Sequence, residues 1–147
     1  MRICIHEQSK ELQIDIYCKR KDDYVMRLKR HLELFEHKLC AKRGGETFYI
    51  EASDVYYFET VDDRTFLYTA NDVFEIGMRL YEIDSFLEEF GFMRISKSVI
   101  VNLNRVHSLR PQLNRTIMAT MQNGERLIVS RSYIKRLRNV LKIQEGK

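Results

Sequence analysis

The chain has 147 residues, 44% of them hydrophobic and 31% charged, with a net charge of +4. That is enough for one cored domain, alone or with a small appendage, and too apolar for a disordered chain. No apolar run approaches the ~18 residues of a membrane-spanning helix, and no charged-then-apolar leader opens the sequence, so a cytoplasmic protein that is not itself membrane-spanning is expected.

The charge is unevenly placed. Residues 1–40 carry nine Lys/Arg against seven Asp/Glu, and residues 41–93 carry four against twelve. Residues 94–147 carry twelve against two (Glu125 and Glu145), a net of +10 beside a middle at −8. A basic surface on an acidic body suits a polyanion, unless the two segments neutralise each other inside the fold.

In chain order, Leu12, Ile14, Ile16 and Cys18 alternate with Gln13, Asp15 and Tyr17, the pattern of a strand. Asp22 then caps a helix expected to run to about Leu39, with Val25, Leu28, Leu32, Phe35 and Leu39 in one stripe. That stripe is expected to pack on the same chain, with a dimer contact as the alternative. Residues 1–38 read as a β–α extension to a mainly β domain over 39–147.

Leu39 to Arg43, Gly44-Gly45 and Glu46 to Ile50 predict a hairpin. Strands follow at Asp54 to Val61, Arg64 to Ala70 and Val73 to Gly77, with turns at Asp62-Asp63 and Asn71-Asp72. A short helix near Arg79 to Phe90 should bury Leu80, Ile83, Phe86, Leu87 and Phe90, and Gly91 should end it. After a loop from Phe92 to Ser98, Val99-Ile100-Val101 reads as a buried strand. Val106 to Leu109 and Thr116 to Met121 are further strands around a turn at Pro111, and Asn123-Gly124 is a strong hairpin signal before Arg126 to Val129. Ser130 then caps a last helix, with Ile134, Leu137, Val140 and Leu141 inward and Arg131, Lys135, Arg136, Arg138 and Lys142 outward.

Nothing forms a catalytic constellation. The four histidines are scattered, the adjacent acids Asp62-Asp63 and Glu88-Glu89 do not face one another as a pair would, and phosphate-binding glycine loops are missing. Cys4, Cys18 and Cys40 sit in apolar-alternating segments without CxxC spacing, so they are expected to be small buried hydrophobes. No enzyme, cofactor or metal is called for.

Binding chemistry is better represented. Arg94, Ser96, Lys97 and Ser98, then Asn102, Asn104 and Arg105, then Ser130, Arg131 and Ser132 cluster where the strands are interrupted. Arg and Lys reach guanine in the major groove, Asn pairs with adenine, and Ser fits either base edge or phosphate. For Asn102 and Asn104 a role in turns is favoured. For Arg94, Lys97 and Arg131 the binding role leads, because a solvated face would interleave acids.

The stretch F-M-R-I-S-K-S-V-I-V-N-L-N-R-V, Phe92 to Val106, resembles the signature of the LytTR-type DNA-binding domain of bacterial response regulators. D-V-Y-Y-F-E at Asp54 to Glu59, the helix at Arg79 to Phe90 and N-G-E-R-L-I-V-S-R-S-Y-I-K-R-L at Asn123 to Leu137 are similar too, so the resemblance spans about 39 to 143. It implies an elongated β domain that places inter-strand loops in successive major grooves of double-stranded DNA. By position, the base readers it implies are Arg64, Lys97, Ser98 and Arg131, with Thr65 beside them. Arg94, Ser96, Asn102, Asn104, Ser130, Ser132, Lys135 and Arg138 would support the loops or meet the DNA backbone. No receiver domain precedes, so the resemblance is to a stand-alone transcription regulator, compatible with a homodimer and with a membrane-bound regulatory partner.

Two other classes stay open on sequence alone. One is a single-stranded nucleic-acid binder stacking bases on Tyr56, Tyr57 and Tyr68, although these suit a sheet face or core better. The other is a protein-interaction module working through the N-terminal helix stripe.

Overall fold

The structure, a computed structural model, describes residues 1–8 and 10–144, without the side chains of Arg30, Leu34, Ile143 and Gln144. Glu145, one of the two acids of the basic third, lies outside the described residues. The fold is mainly β, as expected, with ten strands in two antiparallel sheets and three α-helices among the described residues.

The strand expected over residues 12–18 does not form. Residues 1–8 and 10–22 hold neither helix nor strand, and every one is exposed. Alternation gives a segment one apolar face, but a strand also needs a neighbour for its N–H and C=O groups. Cys4, Cys18 and Cys40 are exposed free thiols, which corrects the expectation that they are buried.

Helix α1 (Asp23–Phe35) starts as predicted, the Asp22 carboxylate accepting the Val25 N–H at 3.0 Å. It stops at Phe35, short of Leu39, which is buried in the next strand, and Phe35 is itself exposed. The half-buried Val25, Leu28 and Leu32 turn onto the same chain, where α1 lies against the 3-10 turns at Ala52–Asp54 and Glu88–Phe90 and against the last helix.

Strands β1 (Lys38–Arg43) and β2 (Glu46–Glu51) pair across Gly44 and Gly45, whose φ values of +58° and +81° are the left-handed pair that a two-residue hairpin needs. The 3-10 turn at Ala52–Asp54 delays β3 to Tyr57–Val61; β4 (Arg64–Tyr68) and β5 (Val73–Ile76) follow. Helix α2 (Leu80–Leu87) runs on into the 3-10 turn at Glu88–Phe90 and ends at Gly91 (φ +93°). Phe86 does not join the core; it is 45% exposed, its ring 5.6 Å from that of His37. The segment read as a loop from Phe92 begins with a strand, β6 (Phe92–Arg94), because Phe92 and Met93 are buried against β7 (Val99–Asn102). The chain finishes with β8 (Val106–Pro111), β9 (Ile117–Met121), β10 (Arg126–Val129) and α3 (Arg131–Gln144). Pro111 closes β8 rather than turning the chain. β8 is the edge of its sheet, where a missing N–H is tolerated.

The large sheet runs β2-β1-β5-β4-β3-β7-β6 and the small one β10-β9-β8. Central strands β3 and β7 are covered on both faces. Phe58 and Ile100 point to α2, packing with Ile83, Leu87 and Phe90. Tyr57 and Val101 point the other way, onto Ile117, Met121 and Val129 of the small sheet and Leu137 of α3. This second core ties α3 and the small sheet to the end of the large sheet that carries the loops.

Candidate nucleic-acid interface

Strand register brings the separate loops to one end of the molecule. Glu59 pairs with Val99, and one step on the Thr60 N–H donates to the Ser98 carbonyl at 2.9 Å. The β3–β4 turn at Asp62-Asp63 therefore sits beside the loop from Arg94 to Ser98. Both aspartates have positive φ, +50° and +60°, a conformation that Asp tolerates better than most residues.

Ile95 is the knot of this region. It is 1% exposed; its N–H donates to Val99 at 3.0 Å and its carbonyl accepts the Ser130 N–H at 2.8 Å. The second bond fixes the start of α3 against the Arg94–Ser98 loop. In the small sheet, Val129 pairs with Ile117 and Ile117 with Pro111, so the β8–β9 turn at residues 112–115 reaches the same end.

The predicted residues divide on these surroundings. Lys97 and Arg131 are exposed, and Ser132 is exposed beside Arg131. Ser98 is half-buried with its carbonyl tied to β3; Ser96 is half-buried, its Oγ accepting the Ser98 N–H at 3.2 Å to tighten the loop. Arg94 braces the same loop, Nη2 donating to the Lys97 carbonyl at 3.0 Å, while its buried Nε has no hydrogen-bond partner.

Arg64 is exposed but held: Nε and Nη2 donate to the two oxygens of Glu75 at 2.9 and 2.6 Å, and the guanidinium lies 5.4 Å from the Phe66 ring centre. The hydrogen bonds from Arg64 hold the Glu75 carboxyl below its usual range, and the same contact pushes the guanidinium up.

Three predicted residues are structural. Thr65 is 6% exposed, its hydroxyl 3.5 Å from that of Thr60 on the neighbouring strand. Asn102 is 1% exposed, donating to the Val55 carbonyl at 2.8 Å and accepting the Asn104 N–H at 3.0 Å. Asn104 donates to the Phe90 carbonyl at 3.2 Å and lies so close to Gly91 that a Cβ there would meet its amide nitrogen at 2.8 Å. Arg105 is likewise occupied, with two bonds to the Ser53 carbonyl at 3.0 and 2.8 Å.

Helix α3 continues the surface. Arg131, Lys135, Arg138 and Lys142, spaced four, three and four apart, form an exposed basic stripe opposite Leu137. Among the described residues, ion pairs join the basic third to the acidic middle at Arg105–Asp54 and Arg136–Glu88; Lys97, Arg131 and the stripe are in none of the pairs. Mutual neutralisation therefore accounts for a small part of the charge.

The sequence reading passed over Arg110 and Arg115. Both are exposed at or near the β8–β9 turn, which is held by Asn114 accepting from the Thr116 hydroxyl at 2.6 Å. Arg115 stands at a φ of +67°. The signal was their lack of neighbouring acids, but only strand register places that turn beside Arg131. The tyrosines offered as a stacking platform are not one: Tyr56 and Tyr57 are 7% and 8% exposed, and Tyr57 stacks on Tyr68 at 4.2 Å between the two sheets.

Comparison with known proteins bears on the family and the fold. The family model described as the LytTr DNA-binding domain matches residues 45–142. Two chains from Staphylococcus aureus strains MSSA476 and MW2, each described as an uncharacterized HTH-type transcriptional regulator, are 28% identical over 145 residues, covering 97% of this chain and 98% of theirs. The sensory transduction protein LytT of Bacillus subtilis is 28% identical over 108 residues, 74% of this chain and 45% of its own. Among solved structures, the LytTr DNA-binding domain of a putative methyl-accepting/DNA response regulator from Bacillus cereus superposes with a TM-score of 0.68 at 28% identity, over 72% of this chain and 97% of that one.

Proposed function

Since the chain belongs to the LytTr DNA-binding domain family, we propose that it is a sequence-specific transcription regulator that binds double-stranded DNA by setting inter-strand loops into the major groove. The observation that carries this reading is the bond from Ser130 to Ile95, which joins the start of α3, where Arg131 stands, to the Lys97 loop. Lys97 and Arg131 read base edges from those two loops, and Arg64 does so from the β3–β4 side after its Glu75 contact is exchanged for a guanine edge. Ser98 and Ser132 add short polar contacts. Arg94, Ser96, Asn102, Asn104 and Ser130 hold the loops in shape, and Lys135 and Arg138 lie along phosphate. The protein acts where DNA is, in the cytoplasm, with residues 1–38 as an extension to the DNA-binding domain at 39–147.

Such a division gives each group a distinct energetic signature. Phosphate contacts supply affinity and its salt dependence, whereas a bidentate base contact is worth roughly 1–3 kcal/mol of discrimination. The experiment is selection of bound sequences from random duplex DNA, followed by competition with single strands of the selected sequence. Enrichment of one motif, displaced by duplex far better than by either single strand, is the expected outcome. No enrichment, or equal displacement by single strands, contradicts the proposal.

A further inference from the structure

We propose that the β8–β9 turn, residues 112–115, is a minor-groove wedge. Leu113 enters a base step next to the major groove that Arg131 occupies, and Arg110 and Arg115 flank it along the minor groove. The proposal rests on the reading of the chain as a binder of duplex DNA, and adds a contact outside the three loops that reading uses.

Leu113 is 107% exposed, more than any other large hydrophobic residue described, although its turn is firmly built. The Gln112 N–H donates to the Thr116 carbonyl at 2.9 Å, and the Arg115 N–H donates to the Gln112 carbonyl at 3.2 Å. Asn114 Oδ1 accepts both the N–H and the hydroxyl of Thr116, at 3.3 and 2.6 Å. Arg115 holds a φ of +67°, a conformation more often left to Gly or Asn. One exposed leucine needs no explanation by itself, but its company points to a partner. No Asp or Glu occurs from Arg94 to Gly124. Arg110 and Arg115 are exposed, and neither is in any of the ion pairs among the described residues. An apolar tip between arginines, with the amides of Gln112 and Asn114 beside it, has the chemistry of a minor-groove binder. The cations are drawn by the potential of the groove, and the apolar side chain unstacks a step.

The position of the turn suits that role. Ile117 pairs with Val129 on one side and Pro111 on the other, so the turn projects from the level at which β10 gives way to α3. Across the small sheet β8 lies two strand spacings from β10, about 10 Å. Half the width of a major groove plus half that of a minor groove is about 9 Å. With Arg131 in the major groove, the turn therefore meets the adjoining minor groove. A wedge there kinks the duplex toward the major groove, closing it onto the side from which Lys97 and Arg131 reach the bases.

The test uses the full chain and the duplex selected from random DNA. End labels report its bend by energy transfer, and 2-aminopurine placed at successive positions reports unstacking. In the wild-type complex, fluorescence should rise at one step. Leu113→Ala should lose that rise together with at least about 20° of bend, the lower end of what a wedge produces. Leu113→Met should keep both. Neither variant should change thermal unfolding or the bases enriched at the positions that Lys97 and Arg131 meet. Arg115→Gly keeps the positive φ while removing the guanidinium, and should abolish any preference for A·T over G·C at the unstacked step. A wild-type complex with no unstacked step, a Leu113→Ala variant that unstacks and bends the duplex as the wild type does, or an Arg115→Gly variant with its step preference unchanged overturns the proposal and leaves major-groove reading standing. A wild type that selects no duplex sequence overturns the DNA-binding reading itself, and the wedge with it.

Discussion

The Ser130 N–H donates to the carbonyl of Ile95 across 2.8 Å, and this bond makes one surface of two loops that are 35 residues apart in the chain. The same Ile95 is closed onto Val99 through its N–H and is buried, so neither loop can shift without disturbing the second core.

Replacing Ser130 with Pro removes that donor together with the hydroxyl and fixes φ, whereas Ser130→Ala removes the hydroxyl and keeps the donor. A lost hydrogen bond of about 1 kcal/mol corresponds to roughly fivefold in an equilibrium constant. Ser130→Pro should therefore lower affinity for the selected duplex by about that factor while leaving non-specific binding close to wild type. Ser130→Ala should show the smaller effect, read in the same fluorescence titration. Equal losses for the two variants would mean that the hydroxyl, not the backbone bond, sets the loops.

Glu75 governs Arg64. The carboxyl lies below its usual range because Arg64 donates to both of its oxygens, so the contact is whole above that range and is lost only as pH falls through the lowered value. Side-chain carboxyl NMR should show Glu75 titrating below the exposed glutamates in the wild type, and returning upward in Arg64→Ala. On DNA, Glu75→Gln should raise non-specific affinity by removing a negative charge and reduce discrimination at the base that Arg64 meets.

Tyr57 and Tyr68 report on the packing of the two sheets. Burial, then the nearby Glu125 and Glu59 carboxylates, push the Tyr57 phenol well above its ordinary value; burial, then Glu59, push Tyr68 up to about 12. Folding favours the neutral phenols, so this stabilisation is complete below the ordinary value of 10.0 and is lost as pH rises through the raised ones. A tyrosinate absorbance titration should show Tyr57 and Tyr68 ionising only as near-ultraviolet dichroism collapses.

Most of the β framework could be read from local chemistry. Gly44-Gly45, Asp62-Asp63 and Asn123-Gly124 mark hairpins because few residue types adopt the backbone that such turns need, and the capping carboxylate of Asp22 marks the start of α1. Where tertiary contact decides, local pattern failed. Phe92 and Met93 became a strand because β7 lies beside them, whereas the better alternation over residues 12–18 stayed unpaired. The candidate site shows the same division. Lys97 and Arg131 stood out by type and by the lack of acids around them, but the burial of Thr65, the hold of Glu75 on Arg64 and the position of Arg115 depend on register between distant strands.

The division between base readers and phosphate contacts is the central claim, and affinity measured against salt for Arg131→Ala and Lys135→Ala tests it most directly. On the selected duplex and on an unrelated duplex of equal length, Arg131→Ala should lose roughly 1–3 kcal/mol of specific binding with little change on the unrelated DNA. Lys135→Ala should weaken both alike and lower the slope of log K against log salt by about 0.9. Equal losses on the two duplexes for Arg131→Ala, with the slope falling as it does for Lys135→Ala, would reduce Arg131 to a phosphate contact and contradict the account.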